Sequence, residues 1–166
     1  LGNDSDQESY YCDGKHHSPD RQCDWRVYDF LLQEKALDDD MINLGIENLY
    51  NFAGRSGDSM SIHNDCISTP DLSSHDRVYI YSGGSGATHQ VWNRKTGELF
   101  LEHYLPSNSL TVLPRGFFLY YDHAVVDIDQ ERWSVTLRHY HPNPNHRKGD
   151  LGPAGMVSHN NRRVAR

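Results

Sequence analysis

The chain has 166 residues, which suits one domain built around one core. Its mean hydropathy of -0.78 is polar, but an aromatic content of 11% excludes a chain too poor in apolar surface to fold. The formal net charge of -7 has the wrong sign for a broadly basic nucleic-acid binder, so phosphate contacts need local basic residues, for which Arg55, Arg147, Lys148, Arg162 and Arg163 are the candidates.

Cys12, Cys23 and Cys66 are odd in number and widely spaced. They fit neither a disulfide framework nor a zinc knuckle, and a reducing, intracellular compartment is expected. No apolar run approaches a membrane span, and the first residues do not form a secretory signal. The chain starts without Met and reads as a piece of something longer. Residues 1–22 are expected to form an N-terminal extension or lid, 23–141 the folded core, and 142–166 a basic, flexible tail carrying Arg147, Lys148, Arg162, Arg163 and Arg166.

In chain order, Trp25 to Asn43 has partial helical spacing, with Val27, Phe30, Leu31, Leu37 and Met41 able to share a face. From Gly45 the pattern changes to short alternating runs divided by turns. The predicted strands are Ile46–Phe52, Ser59–His63, Arg77–Ser82, His89–Arg94, Glu98–Leu105, Leu110–Leu113, Phe117–Tyr121, Ala124–Asp127 and Arg132–Tyr140. Turns are predicted at Gly54 to Gly57, Gly83 to Gly86, Lys95-Thr96-Gly97, Pro106-Ser107-Asn108 and Pro114-Arg115-Gly116. Val91 to Phe100 reads as a hairpin around Thr96-Gly97. A helix followed by many short strands predicts a mainly β fold: a double-stranded β-helix, or jelly roll, with a flanking N-terminal helix.

Ser61-Ile62-His63-Asn64-Asp65 places an imidazole and a carboxylate two residues apart, and in a strand such residues point to one side. His123 lies far downstream, just before the apolar run Ala124-Val125-Val126. Two His and one carboxylate form the facial triad of non-heme Fe(II) oxygenases, which leaves metal positions open for a co-substrate and oxygen. An H-x-D alone arises easily among 11 His. The second signal is the strand from Arg132 to Arg138. Arg132, Ser134, Thr136 and Arg138 fall on one face, with Trp133, Val135 and Leu137 on the other. Such a polar face either meets solvent or, if buried, faces an anion that matches the arginine forks.

His63-Asn64-Asp65, His123 and Arg132-Trp133-Ser134-Val135-Thr136-Leu137-Arg138, in that order and spacing, resemble the AlkB family of Fe(II)/2-oxoglutarate-dependent dioxygenases. Asn48-Leu49-Tyr50 is similar to the family's N-x-Y upstream of the H-x-D, and Gly116 to its glycine turn before the penultimate strand. The likeness runs from about Ile46 to His139. It implies that His63, Asp65 and His123 hold Fe(II) and that Arg132 pairs with the distal carboxylate of 2-oxoglutarate. Arg138 would lie near the iron-bound end, and Asn48, Tyr50 and Ser134 would complete the co-substrate pocket. Two departures stand out. The loop from Tyr50 to His63 is long, so Phe52 is a second candidate for the aromatic contact. The acidic residue expected soon after the H-x-D is replaced by Cys66, Ile67 and Ser68.

The activity the resemblance implies is oxidative demethylation of N-methylated bases in RNA or DNA, with molecular oxygen as oxidant and single-stranded nucleic acid as the favoured partner. A 2-oxoglutarate-dependent hydroxylase of a protein or small molecule would use the same iron site, and the acidic net charge favours it. A non-catalytic jelly-roll binding module is a third reading. His16-His17 and the His139, His141 pair are expected to be exposed rather than metal-binding. Asp122 reads equally as a partner of the metal ligands or as a turn residue. Among Tyr79, Tyr81, Trp92, Tyr104, Tyr120 and Tyr121, most are expected to be ordinary sheet residues rather than a platform for stacking a base. Tyr10 to Gly14 reads equally as part of a nucleotide-recognition lid or as a tail.

Overall fold

The short alternating runs fold, in a computed structural model of the chain, into strands that pair almost wholly antiparallel. The structure describes residues 26–37, 42, 44–66 and 72–139 with their side chains, and the backbone alone at 10–12, 15–17, 67–68 and 157–160. A hairpin of β1 (Tyr10–Cys12) and β2 (Lys15–His17) precedes α1 (Arg26–Gln33). Then come β3 (Leu44–Tyr50), β4 (Met60–His63), the helical turn α2 (Asp65–Ser68), β5 (Val78–Gly84), β6 (Ala87–Asn93), β7 (Leu99–Leu105) and β8 (Ser109–Leu113). The helical turn α3 (Phe117–Tyr120), β9 (Tyr121–Val126) and β10 (Arg132–Arg138) complete the core, and β11 (Val157–Asn160) lies parallel to β3. The rest of the expected lid and tail lies outside the described residues.

The antiparallel pairs are nested. β6 pairs with β7, β5 with β8, β4 with β9 and β3 with β10. Cross-pairing of β10 with β5 and of β6 with β9 assembles two sheets, of order β11-β3-β10-β5-β8 and β4-β9-β6-β7. The inner hairpin is closed at the predicted turn: Asn93 Oδ1 accepts from the Lys95 and Thr96 amides at 2.9 and 3.1 Å, and Gly97 takes φ 72°.

β10 decides the layering, because both of its faces are covered. Val135 and Leu137 pack with Leu31, Leu37, Ile42 and Tyr79, so α1 closes the outer face of the larger sheet. The inner faces of the two sheets meet through Val78, Leu113 and Val91 at one end and through Tyr50 and Ala87 at the other. The polar face of β10 lies between these apolar ends. Arg132 and Arg138 are each 1% exposed, so the solvent-facing reading of this strand is wrong.

Three predicted elements are corrected. The helix is shorter than Trp25 to Asn43, since the Lys35 amide donates to Leu32 O, the Ala36 amide to Leu31 O, and Lys35 adopts φ 53°. That is a left-handed helix stop on a residue other than glycine. Phe117 to Tyr120 is a helical turn, not a strand, entered through Gly116 at φ 80°. The predicted turn at Gly83-Gly84 belongs to β5, where the Trp133 ring crosses so closely that a Cβ on Gly83 would sit 2.3 Å from it. The remaining strands fall within a few residues of expectation.

Candidate metal centre and anion pocket

β4 and β9 set His63 opposite His123 as cross-strand partners, after a register break between Met60 and His63. A break of this kind re-aims a side chain, and the two ring centroids are 4.5 Å apart. Asp65 does not reach them by strand alternation as expected. It opens α2, and Asn64 makes the bend. Asn64 is buried and shares its amide hydrogens among Phe118 O at 3.0 Å, Tyr121 O at 3.1 Å and Asp122 Oδ1 at 3.0 Å, while its Oδ1 accepts from the Cys66 amide. Asp122 also pairs with Arg94 at 3.3 Å. Asp122 thus holds Asn64, the residue that separates His63 from Asp65.

Asp65 Oδ1 lies 3.0 Å from His63 Nε2 and 3.4 Å from His123 Nε2. One ligand atom from each of His63, Asp65 and His123 lies within 4.8 Å of the others. Asp65 Oδ2 accepts from Arg138, which also reaches Cys66 Sγ at 3.5 Å. Burial alone would raise the Asp65 carboxyl, but the Arg138 guanidinium beside it, with both imidazoles nearby, holds it well below the ordinary carboxylate range. Burial lowers His123 against the pull of Asp65. Metal ligation needs an unprotonated imidazole and an ionised carboxylate, and both shifts favour those forms.

Each imidazole has a partner on its other nitrogen. His63 Nδ1 is 2.7 Å from Ser61 O, so it carries the proton and leaves Nε2 bare. His123 Nδ1 is 3.2 Å from His89 Nε2. Burial first, then His123, His103 and Arg132, push the His89 pKa down to about 3. The sequence reading missed His89. Its signal was Ala87-x-His89-x-Val91, which puts a histidine on the inward face of an alternating strand.

The second half of the site lies along β10. Arg132 donates to Ser82 Oγ at 2.7 Å and to Trp133 O at 3.4 Å, its guanidinium sits 5.4 Å from the centre of the Tyr50 ring, and its Nε has no partner. No carboxylate among the described residues pairs with it. Burial depresses its pKa, and Tyr50 opposes that shift. Across the β3–β10 ladder, Asn48 stands opposite Ser134 and Tyr50 opposite Arg132. Burial raises the Tyr50 pKa, and Arg132 and then the Ser134 hydroxyl oppose that shift. Tyr50, not Phe52, is therefore the aromatic residue at Arg132. All eight predicted site residues lie between the two sheets. Arg138 is tied to the His-Asp-His cluster, and buried Arg132 with Tyr50 marks the other end of the same face of β10.

Other candidates sit elsewhere. Arg55 is held by Asp58 at 3.1 Å, and Asp58 is locked to Asn51 by two reciprocal bonds of 2.7 and 2.9 Å. His139 lies beside Asp76. The side chains of His16 and His17, and His141, are outside the described residues. Tyr79 is buried, Tyr81 packs against Trp133 and Phe30, and Tyr104 and Tyr120 are exposed.

No family model and no curated protein matches the chain. Among solved structures, it is similar over 52% of its length to peruvianin-I, a cysteine peptidase from Thevetia peruviana latex, at 11% identity and a TM-score of 0.36. It is also similar to the capsular polysaccharide assembling protein CapF from Staphylococcus aureus in two crystal structures. These cover 68% and 61% of this chain at 12% and 13% identity, with TM-scores of 0.39 and 0.37. The matched region spans 47% of the peptidase chain and 27% and 24% of the CapF chains.

Proposed function

We propose that the chain is an Fe(II)/2-oxoglutarate-dependent dioxygenase of the AlkB type, acting on N-methylated bases in single-stranded RNA or DNA. Its core would be a double-stranded β-helix. Supporting that architecture, four nested antiparallel pairs fold over into two sheets facing one another, as a jelly roll requires.

The observation that carries the functional reading is Arg132. A guanidinium 1% exposed, with a serine hydroxyl and a carbonyl as its acceptors, is costly to bury without an anion. It shares one face of one strand with Arg138, which holds Asp65. A ligand with a carboxylate at one end and metal-binding oxygens at the other would give Arg132 the anion it lacks while reaching the cluster that Arg138 holds. The donor set also fits Fe(II): two imidazoles and one carboxylate oxygen leave three of six positions open.

When bound, Fe(II) with 2-oxoglutarate and molecular oxygen would supply the oxidising chemistry. The chain's own contribution is placement. Arg132 would take the distal carboxylate bidentately, with Asn48, Tyr50 and Ser134 lining that end. Arg138 fixes the Asp65 carboxylate so that one oxygen faces the imidazoles. The covered inner face would keep water from the Arg132 end of the co-substrate. A flipped or unpaired base would approach from the side of His63, the more exposed of the two imidazoles. Iron chemistry and the odd set of three cysteines fit a reducing, intracellular compartment. Among the described residues, no helix is long and apolar enough to cross a membrane.

A second reading, hydroxylation of a protein or small molecule, is favoured by the net charge of -7 and by the engagement of Arg55 with Asp58, which draws a cation near the H-x-D away from phosphate. The deciding experiment is 2-oxoglutarate turnover with Fe(II) in the presence of methylated single-stranded RNA, methylated single-stranded DNA and no substrate. Formaldehyde release with an oligonucleotide is the expected result. Turnover without formaldehyde release from any oligonucleotide would move the assignment to the second reading, and no turnover with no metal uptake would leave only a binding module.

A further inference from the structure

We infer that His89 is a positioning residue of the metal centre: it accepts the Nδ1 proton of His123 and so keeps the ligating Nε2 of His123 bare. The inference rests on the proposed metal site and adds a residue that the H-x-D and distal-His pattern does not contain.

The argument is one of proton bookkeeping. A neutral imidazole has one N–H and one bare nitrogen. His123 can offer Nε2 to a metal only if its proton sits on Nδ1. That proton is buried with the ring, which is 4% exposed, so it needs an acceptor nearby. His89 Nε2 stands 3.2 Å from His123 Nδ1, placed to accept that proton. It follows that the His89 proton is on Nδ1. That nitrogen is buried and unpartnered, as is Nδ1 of His103. His89 is itself 1% exposed, and its cross-strand neighbour His103 sets a ring edge-on to it at 5.0 Å between centroids. The pair of strands thus fixes the His89 ring in the orientation that presents Nε2 to β9. His63 solves the same problem with a main-chain carbonyl, that of Ser61. Metal-bound histidines usually donate to a carboxylate, carbonyl or water, and losing that partner typically weakens metal binding by about 10- to 100-fold. A second imidazole does the same work without placing beside Arg132 a carboxylate that would compete for its guanidinium.

The test uses the full chain with Zn(II) and Co(II). Titration should show binding about 10- to 100-fold weaker in His89→Leu, which has no acceptor, and near wild-type affinity in His89→Gln, whose amide oxygen can accept the same proton. Nitrogen-15 spectra of the Zn(II)-loaded wild type should show protonated Nδ1 and bare Nε2 at His89, together with a slowly exchanging Nδ1 proton on His123. Because His89→Leu can fail to fold, the wild-type spectrum stands as an independent arm. A His89 that carries its proton on Nε2 in the Zn(II)-loaded protein overturns the inference. So does a folded His89→Leu that binds metal as tightly as wild type, and in both cases the metal site itself survives. Failure of the wild type to bind either metal removes the metal site and this inference together.

Discussion

Asp65 divides its carboxylate between Arg138 and the two imidazoles. Oδ2 accepts from the Arg138 guanidinium, and Oδ1 lies 3.0 Å from His63 Nε2 and 3.4 Å from His123 Nε2. This division leaves Asp65 one oxygen to offer a metal and makes Arg138, 1% exposed, dependent on it for charge. Asp65→Ala should therefore lose metal binding and, in the metal-free protein, cost on the order of 3–5 kcal/mol of unfolding free energy, since it strands a buried guanidinium. Asp65→Asn keeps an acceptor for Arg138, so it should lose metal affinity with a smaller loss of stability. Urea unfolding of the three proteins without metal checks this. An Asp65→Ala as stable as wild type would mean that Arg138 has another counter-ion.

Arg132 predicts the opposite sign. No carboxylate among the described residues compensates it, so Arg132→Met, close in volume and apolar, should leave the ligand-free protein at least as stable as wild type. The same substitution should weaken 2-oxoglutarate binding to the Zn(II)-loaded protein by at least about 100-fold, the equivalent of roughly 3 kcal/mol for a buried charge pair. Calorimetric titration with 2-oxoglutarate and urea unfolding without it separate the two effects. Unchanged co-substrate affinity would show that the distal carboxylate lies elsewhere.

The part of this site that was legible in the sequence is the part written in periodicity. Arg132, Ser134, Thr136 and Arg138 fall at every second position, and a strand must put them on one face. Whether that face is wet or dry depends on what covers it, and periodicity carries no such information. The jelly-roll expectation rested on many short strands, whereas the pairing of β3 with β10 or β4 with β9 joins segments far apart in the chain. Phe117-Phe118-Leu119-Tyr120 was read as a strand because a short apolar run has no period of its own. The turn is set by backbone bonds from Phe117 N to Pro114 O and from Leu119 N to Gly116 O. Asn64 was visible only as the variable residue of H-x-D, yet it makes the bend that brings Asp65 to the histidines. His89 shows the same limit, because its role exists only through its neighbour on β9.

Acid should weaken the fold through the same residues. The His89 pKa is held at about 3 in the folded chain, against an ordinary value of 6.5. Between these values the unfolded chain binds the proton and the folded chain does not, so stability falls as pH drops through that window and is fully present above it. His123 is depressed as well and acts in the same direction. Asp65, whose folded pKa lies below 3.8, contributes stability that is present above 3.8 and lost as pH falls further. Metal-free protein should lose about 2 kcal/mol through His89 alone between pH 7 and pH 5. Urea unfolding across that range should show a shallower loss in His89→Gln. Equal slopes for wild type and variant would mean that His89 charges freely in the folded state.

Substrate binding gives the last prediction. A base held in a duplex costs a few kcal/mol to extrude, whereas an unpaired one costs little, so single-stranded methylated oligonucleotides should bind more tightly than duplexes of the same sequence. Phosphate contacts on a chain of net charge -7 must come from a local basic cluster, and Arg147, Lys148, Arg162 and Arg163 are the densest in the sequence. Deleting everything after Pro142 would be a poor test, because it also removes β11 from the edge of β3 and with it the strand neighbour of Asn48. Charge reversal of Arg162 and Arg163 leaves β11 in place. If these residues touch phosphates, oligonucleotide affinity should fall steeply with salt, and each lost contact should reduce the logarithmic salt slope by about 1. The measurement is binding of one methylated single strand to wild type and to the double reversal at several salt concentrations. Identical slopes would take these arginines out of the interface. A flat salt dependence in the wild type, with no formaldehyde released, would take nucleic acid out of the assignment.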